Sequence, residues 1–161
     1  MPTASWHYNP CHMTDRRFAA PTGVSTLLGG KKILKRAITE QHEMRDALRN
    51  GLPFGALEAF VKAMGIPTAT VTRVLGLAPR TLARRKAQQA FNAVESDRLY
   101  RLARVVLMAV QVLGSPERAR QWLARPNRAL GGETPLSLLD TDLGARQVEA
   151  VLGRIEHGIF S

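Results

Sequence analysis

The stretch TATVTRVLGLAPRTLARRKAQQ, residues 68–89, determines the fold class of this chain. Its first half spaces three apolar residues along one face of a short helix: Val71, Val74 and Leu75. The helix breaks at Gly76, and a second helix begins with Pro79, in the first turn, where the missing N–H of proline costs nothing. Ala78 occupies the position where a Ser or Thr cap is expected. Two short helices joined by a glycine turn predict a helix-turn-helix.

The second helix of this motif is strongly basic. Leu82 faces the core beside the first helix, so the cations near the helix start fall on its outer faces. In the major groove of DNA, arginine reads guanine edges, while lysine and threonine hold phosphates. The alternative is a solvated basic face on an ordinary helical hairpin, but the glycine turn, the proline start and the clustered arginines together favour DNA binding. The predicted DNA-binding residues are Thr70, Arg73, Arg80, Thr81, Arg84, Arg85 and Lys86.

The charge of the chain is unevenly distributed. The 161 residues include 23 Lys and Arg and 13 Asp and Glu, which give a formal net charge of +10. Residues 1–104 hold 17 of the basic and 7 of the acidic residues, whereas residues 105–161 hold 6 of each. A basic segment attracts polyanions by releasing their counterions, and nucleic acid is the commonest such partner. The charge therefore agrees with the helix-turn-helix in predicting nucleic acid as a partner.

Hydropathy and cysteine content indicate the cellular compartment in which the protein acts. The longest strongly apolar run, residues 105–113, is less than half of the about 20 residues that a membrane span needs. The first residues lack the apolar core of a secretory signal. The single cysteine, Cys11, excludes an internal disulfide and fits a reducing compartment. We expect a cytoplasmic protein.

The remaining sequence mostly predicts helices, so we expect an all-α fold in three parts. The parts are a loose leader over residues 1–23, the helix-turn-helix region over residues 24–104, and a small helical domain over residues 105–161. Apolar residues at intervals of three and four predict one helix across residues 31–51 and another that ends at Gly65.

A long helix follows the helix-turn-helix and is predicted to open at Ser96 and Asp97. Its apolar stripe runs from Leu99 to Leu113 and is broad enough to need burial on more than one side. This breadth predicts either a central core helix or a core helix that also supplies a dimer interface. A homodimer would bring two basic regions to successive half-sites of a roughly palindromic operator.

The stretch PNRALGGETPLSLL, residues 126–139, contains a Gly-Gly pair but is not a phosphate loop. A phosphate loop needs a preceding strand and a following Lys, and here neither is found. The stretch predicts a turn and a short helix that fix the last helix, with Asp140 and Asp142 as its caps. The helix that precedes residues 126–139 is predicted to be capped by Ser115 and to bury Trp122 and Leu123.

The histidines and the cysteine give no catalytic or metal site. His7, Cys11 and His12 could ligate a metal, but they lie in the leader and have no fourth ligand nearby. His42 and His157 have no Ser or Cys partner for nucleophilic catalysis. We therefore expect no cofactor and no enzymatic activity.

Several motifs resemble those of the Xre/MbcA/ParS antitoxin family. ARQWL at residues 119–123 and the whole of residues 126–161 resemble its toxin-binding domain. GLPFGAL at residues 51–57, LGLAPRTLARRK at residues 75–86 and ESDRLYRLARV at residues 95–105 resemble its Xre-like helix-turn-helix half. The chain departs from the family pattern at Ala78, where Ser is usual.

The resemblance implies an antitoxin of a type II toxin–antitoxin pair. Its partner would be a RES-domain toxin, similar to ADP-ribosyltransferases, that consumes NAD. The antitoxin would bind and inhibit this toxin and repress its own operon. The runner-up interpretation is a stand-alone dimeric helix-turn-helix transcription regulator.

The resemblance also supports a prediction of where the toxin binds. The last helix delivers an apolar tail that we expect to enter or cap the NAD site of the toxin, while Trp122 and Leu130 stabilise the platform behind it. The predicted toxin-binding residues are Trp122, Asn127, Leu130, Arg154, Ile159, Phe160 and Ser161.

Overall fold

The structure, a computed structural model, describes residues 20–158. Within that range the chain forms helices and turns, and its only β-structure is an isolated antiparallel bridge between Pro53 and Ala90. The all-α prediction is therefore confirmed. The helices are α1 Pro21–Leu27, α2 Gly30–Leu34, α3 Gln41–Asn50, α4 Gly55–Met64, α5 Thr68–Val74, α6 Pro79–Gln88, α7 Ala93–Leu113, α8 Pro116–Leu123, α9 Pro135–Leu138 and α10 Asp142–Glu156, with a 3₁₀ turn at Arg128–Leu130.

The end of the predicted loose leader belongs to the folded core. Helix α1 starts at Pro21, and both Pro21 and Val24 are buried. The proline stands in the first turn of α1, so the residue that suggested a loose segment in fact starts a helix. Residues 1–19, which include His7, Cys11 and His12, lie outside the described residues.

The single helix predicted across residues 31–51 is two helices. Helix α2 ends at Leu34, and Lys35 then takes a left-handed conformation with φ +61°. Helix α3 starts after Glu40, where the Glu43 carboxylate accepts hydrogen bonds from the backbone N–H groups of Thr39 at 2.7 Å and Glu40 at 2.9 Å. These donors hold the pKa of Glu43 below its usual value. The apolar spacing continues across the break because Ile38, in the connection, is also buried.

The long helix α7 starts earlier than predicted. Asn92 caps it: its Oδ1 accepts from the Glu95 N–H at 2.8 Å, and Glu95 Oε2 accepts from the Asn92 N–H at 3.0 Å. This reciprocal pair is a capping box. The prediction that Ser96 and Asp97 open the helix is wrong, because Ser96 is fully buried and its hydroxyl accepts the Leu52 N–H at 2.8 Å.

Helix α7 is the central helix of the core. This is one of the two alternatives that its broad apolar stripe predicted. It packs against α1, α3, α8 and α10. Its second half is covered less completely, since Leu107, Met108, Val110, Val112 and Leu113 are only partly buried. The apolar residues of α7 that are fully buried are Leu99, Leu102, Ala103, Val105, Val106 and Ala109.

The basic and the neutral parts of the chain share one hydrophobic core. Helix α4 packs against α8, and α5 packs against α9, so the C-terminal helices touch the helix-turn-helix directly. An ion pair of 2.6 Å between Arg104 Nη2 and Glu149 Oε1 joins α7 to α10. Within residues 20–158 no helix combines the length and the apolar character that a membrane crossing requires.

Candidate functional sites

Helices α5 and α6 form the predicted helix-turn-helix. In the turn between them, Gly76 has a φ of +65°. The Leu77 N–H donates a hydrogen bond of 2.9 Å to the Thr72 carbonyl. Leu77 is buried in the turn. Arg98 Nη1 donates to the Leu75 carbonyl at 3.1 Å, so α7 also supports the end of α5. The prediction from Gly76 and Pro79 is confirmed.

Helix α6 lies on the surface of the fold. None of its residues is buried, and Ala78 at its N-cap provides no side-chain hydrogen bond, as its lack of an oxygen predicted. None of the exposed cations of α6 is in an ion pair with a described carboxylate. Of the predicted DNA-binding residues, the structure leaves these exposed or partly exposed on α5 and α6: Thr70, Arg73, Arg80, Thr81, Arg84 and Lys86.

Arg85 differs from the other cations of α6. Its Nε lies 2.6 Å from Glu95 Oε2, and the two side chains are only 15% and 8% exposed. The prediction that Arg85 lies on an outer face is wrong. Arg85 follows Leu82 by three residues, which places both on the same side of the helix. Because Glu95 also closes the capping box of α7, Arg85 ties α6 to the start of α7.

The glycine-rich loop after α8 is closed by Asn127. Its backbone N–H donates to the Glu133 carbonyl at 2.9 Å, and its carbonyl accepts from the Gly132 N–H at 2.9 Å. The side-chain oxygen of Asn127 accepts from the Ala129 N–H at 2.9 Å. Gly131 and Gly132 both have positive φ, at +68° and +83°, which explains the Gly-Gly pair. The loop is a structural turn, as predicted.

An open groove of about 370 Å³ lies between this loop, α9 and α10. The structure brings two predicted toxin-binding residues together there, Leu130 and Arg154. Apolar side chains of Leu138 and Ala150 contribute to the lining, and Glu133 adds a negative charge opposite the positive charge of Arg154. The full lining is Ala129, Leu130, Gly131, Glu133, Leu138, Gln147, Ala150 and Arg154.

Two further predictions for the C-terminal half need correction. Trp122 is only partly buried, whereas the following residue, Leu123, is fully buried. The cap of α10 is Thr141, whose hydroxyl accepts the Gly144 N–H at 3.1 Å, and Asp142 instead pairs with Arg146 at 2.9 Å. Asp140 is exposed and does not cap the helix. Ile159, Phe160 and Ser161, also predicted to bind the toxin, lie outside the described residues.

A second groove, of about 520 Å³, lies between α3 and α7 and was not predicted. Arg45, Arg49 and Arg104 line it together with Asp97 and Tyr100. Partial burial raises the pKa of the Tyr100 hydroxyl above its usual value. No sequence pattern indicated this groove, because its residues come from two helices separated along the chain.

The possible metal ligands do not converge in the described range. Over residues 20–158, no three His, Cys, Asp or Glu side chains come close enough to hold a metal ion. His42 is exposed near the start of α3, and His157 is exposed at the end of α10, where its ring contacts the Gly153 carbonyl. The candidate sites are therefore the basic surface helix α6 and the open groove between the loop, α9 and α10.

Together these features define a class of protein. It is an all-α protein in which a helix-turn-helix shares its core with a small C-terminal helical domain that carries a groove. Two family models match the chain: the antitoxin Xre-like helix-turn-helix domain at residues 43–104, and the antitoxin Xre/MbcA/ParS C-terminal toxin-binding domain at residues 108–158. The chain belongs to the Xre/MbcA/ParS family and is an antitoxin of a toxin–antitoxin system.

Known proteins with the same organisation support this assignment. The chain is 35% identical over 118 residues to Antitoxin Xre of Yersinia enterocolitica, covering 72% of this chain and 80% of that protein. It is 27% identical over 124 residues to the Prs ADP-ribosylating antitoxin of Sphingobium sp., covering 71% and 78%. It also resembles a chain in the crystal structure of the M. tuberculosis MbcT-MbcA toxin–antitoxin complex, with a TM-score of 0.52 and 25% identity over 65% of this chain and 94% of that one.

Proposed function

We propose that this antitoxin binds and inhibits a RES-domain toxin, an ADP-ribosyltransferase-like enzyme that consumes NAD, and represses its own operon by binding operator DNA. In this proposal it acts in the cytoplasm as a binding protein and not as an enzyme. Residues 24–104 contact DNA, and residues 105–161 contact the toxin. The observation that carries the toxin half is the groove shared by Leu130 and Arg154, because it lies within the segment that matches the toxin-binding domain.

The chemistry of the groove supports a protein ligand. Leu138 and Ala150 offer apolar surface above the buried Leu130, and Glu133 and Arg154 provide charges of opposite sign that fix the orientation of a partner. Trp122, half-buried on α8, is the kind of large aromatic residue that anchors protein interfaces. Asn127 supports the interface indirectly, because its side-chain oxygen is engaged in the loop.

Co-expression with the adjacent reading frame tests the proposal. The toxin alone should deplete NAD and stop growth, whereas the pair should grow and co-purify as one complex. An Arg154→Ala variant should weaken the complex, while Arg146→Ala, an exposed arginine on the same helix outside the groove, should not. NAD loss that continues in the presence of the antitoxin, together with a failure to co-purify, would favour the stand-alone regulator instead.

The DNA half of the proposal depends on the surface of α6. Arg80, Arg84 and Lys86 are exposed, and none pairs with a described carboxylate, so their charges are available to a polyanion. A helix of this kind fits the major groove with its N-terminal residues against base edges. Arg85, held by Glu95, fixes the orientation of the helix and is not proposed as a DNA contact.

Arg80→Ala and Arg84→Ala should each weaken operator binding by about 1–3 kcal/mol if they read bases. If they touch phosphate alone, affinity should fall with little change in sequence preference. The measurement is a gel-shift titration with the region upstream of the operon and with unrelated DNA. The control is the double variant Arg118→Ala, Arg125→Ala, which removes two exposed arginines from the C-terminal half. Unchanged affinity in the Arg80/Arg84 double variant would refute the assignment of α6 to DNA.

We also propose that the antitoxin is a homodimer. The partly buried apolar residues in the second half of α7, among them Val110 and Leu113, leave apolar surface that a second copy could cover. Light scattering of the isolated antitoxin at tens of micromolar should give twice the monomer mass. A strictly monomeric mass would show that the chain itself covers this part of α7 sufficiently.

A further inference from the structure

Helix α2 and the residue that follows it carry a dense group of cations. We call Lys31, Lys32 and Lys35 the α2 basic patch. All three are exposed, and none is in an ion pair with a described carboxylate. The Glu43 carboxylate forms no ion pair with these lysines, and its Oε2 accepts from the backbone N–H groups of Thr39 and Glu40. The patch lies outside residues 43–104, which match the helix-turn-helix domain.

A series of contacts connects helix α2, through the start of α4, to the recognition helix. Ile33 of α2 packs at the start of α4, since a Cβ built on Gly55 would lie 3.3 Å from Ile33 Cγ2. The neighbouring Phe54 N–H donates at 3.0 Å to the carbonyl of Gln89, the C-cap residue that follows α6. The bridge between Pro53 and Ala90 reinforces the same junction. Helix α2 therefore approaches the C-terminal end of α6 through the start of α4.

This position suits contact with the DNA backbone. When the N-terminal residues of a recognition helix read bases, the sugar-phosphate backbone passes near its other end, and cations there bind phosphates. Lysine is suited to this contact because its ammonium group is a flexible point charge that needs no fixed hydrogen-bond geometry. The three neighbouring lysines without carboxylate partners carry such charges on the helix that is linked to the C-terminal end of α6.

We propose that the α2 basic patch binds phosphates of the operator duplex beside the half-site that α6 contacts. The inference rests on the proposed DNA binding by α6 and extends the DNA surface beyond the helix-turn-helix. Phosphate contacts position a protein without reading sequence. The patch should therefore add affinity and salt dependence and leave sequence preference unchanged.

The test is the triple variant Lys31→Ala, Lys32→Ala, Lys35→Ala, titrated with operator and with unrelated DNA at several salt concentrations. Each lost phosphate contact reduces the steepness of log K against log salt by about 0.9, so we expect the slope to become less steep by about 2–3 and affinity near physiological salt to fall roughly a hundredfold. The ratio of operator to unrelated affinity should stay the same. The triple variant Arg118→Ala, Arg125→Ala, Arg128→Ala removes equal charge from the C-terminal half and should keep the wild-type slope.

Each other outcome identifies the step that fails. If the wild-type protein binds no operon DNA, the proposed repressor function fails and this inference fails with it. If α6 variants lose binding while the lysine variant keeps the wild-type slope, only the inference is wrong. Equal decreases in both triple variants would also overturn it, because they would reflect net charge alone. Replacing the three lysines by Arg should restore the slope, and a triple Gln variant repeats the test if the alanine variant does not fold.

Discussion

An antitoxin that ends at Gly158 should fold and bind DNA but fail to neutralise its toxin. The three removed residues, Ile159 to Ser161, follow α10, and that helix lines the groove with Gln147, Ala150 and Arg154. We propose that Ile159 and Phe160 reach from this helix into or over the NAD site of the toxin. A buried aromatic anchor of this kind contributes about 2 kcal/mol or more to an interface.

The effect should appear as a loss of growth and of cellular NAD when toxin and truncated antitoxin are co-expressed. Phe160→Ala should give most of the same loss. Leu143→Ala is the matched control, because Leu143 is a large apolar residue of α10 that is 71% exposed and lies outside the groove. If the truncated antitoxin still protects cells and preserves NAD, inhibition does not require these three residues and must come from contacts elsewhere on the toxin.

Gly144→Ala should destabilise the C-terminal half strongly. Gly144 is buried near the start of α10, and a Cβ there would overlap the carbonyl oxygen of Leu138. The overlap is with backbone, which cannot turn aside as a side chain can. Overpacking of this kind costs about 1–3 kcal/mol or more, which exceeds the gain of about 1 kcal/mol that alanine brings to a helix. Since α9 and α10 both line the groove, toxin binding should fall as well.

Urea unfolding of the variant measures this loss of stability. Gly153→Ala is the matched control in the same helix, because a Cβ at Gly153 meets no atom within 4 Å. That variant should be more stable than the wild type by about 0.5–1 kcal/mol. Equal stabilities of Gly144→Ala and the wild type would mean that α10 does not approach α9 this closely.

The sequence predicted those elements whose boundaries are set by local chemistry. Gly76 and Pro79 located the turn of the helix-turn-helix, and Ser115 located the start of α8, where its hydroxyl accepts the Arg118 N–H. The break between α2 and α3 was missed because Leu34 and Ile38 are both buried and keep a four-residue, helix-like spacing across the end of α2. The start of α7 was missed although Asn92 and Glu95 have the spacing of a capping box.

The candidate sites depended more on tertiary contacts. The sequence identified α6 as basic, but Arg85 was wrongly predicted to lie on an outer face, because its partner Glu95 belongs to another helix. Leu130 and Arg154 were predicted from a family resemblance, yet the groove that joins them forms only when the loop, α9 and α10 meet. The proximity of α2 to α6 likewise arises through α4, which no local pattern reveals.

The central position of α7 affects how the antitoxin is degraded in a cell. The two family models meet within this one helix, between residues 104 and 108, and both halves pack against it. A protease that unfolds one half therefore also removes the α7 packing that stabilises the other half, because a shared core unfolds as one cooperative unit. Under the proposed function, degradation should remove toxin inhibition and operon repression in the same event. The antitoxin gene would then be induced at the moment when the toxin is released, and resynthesis would set how long the toxin acts.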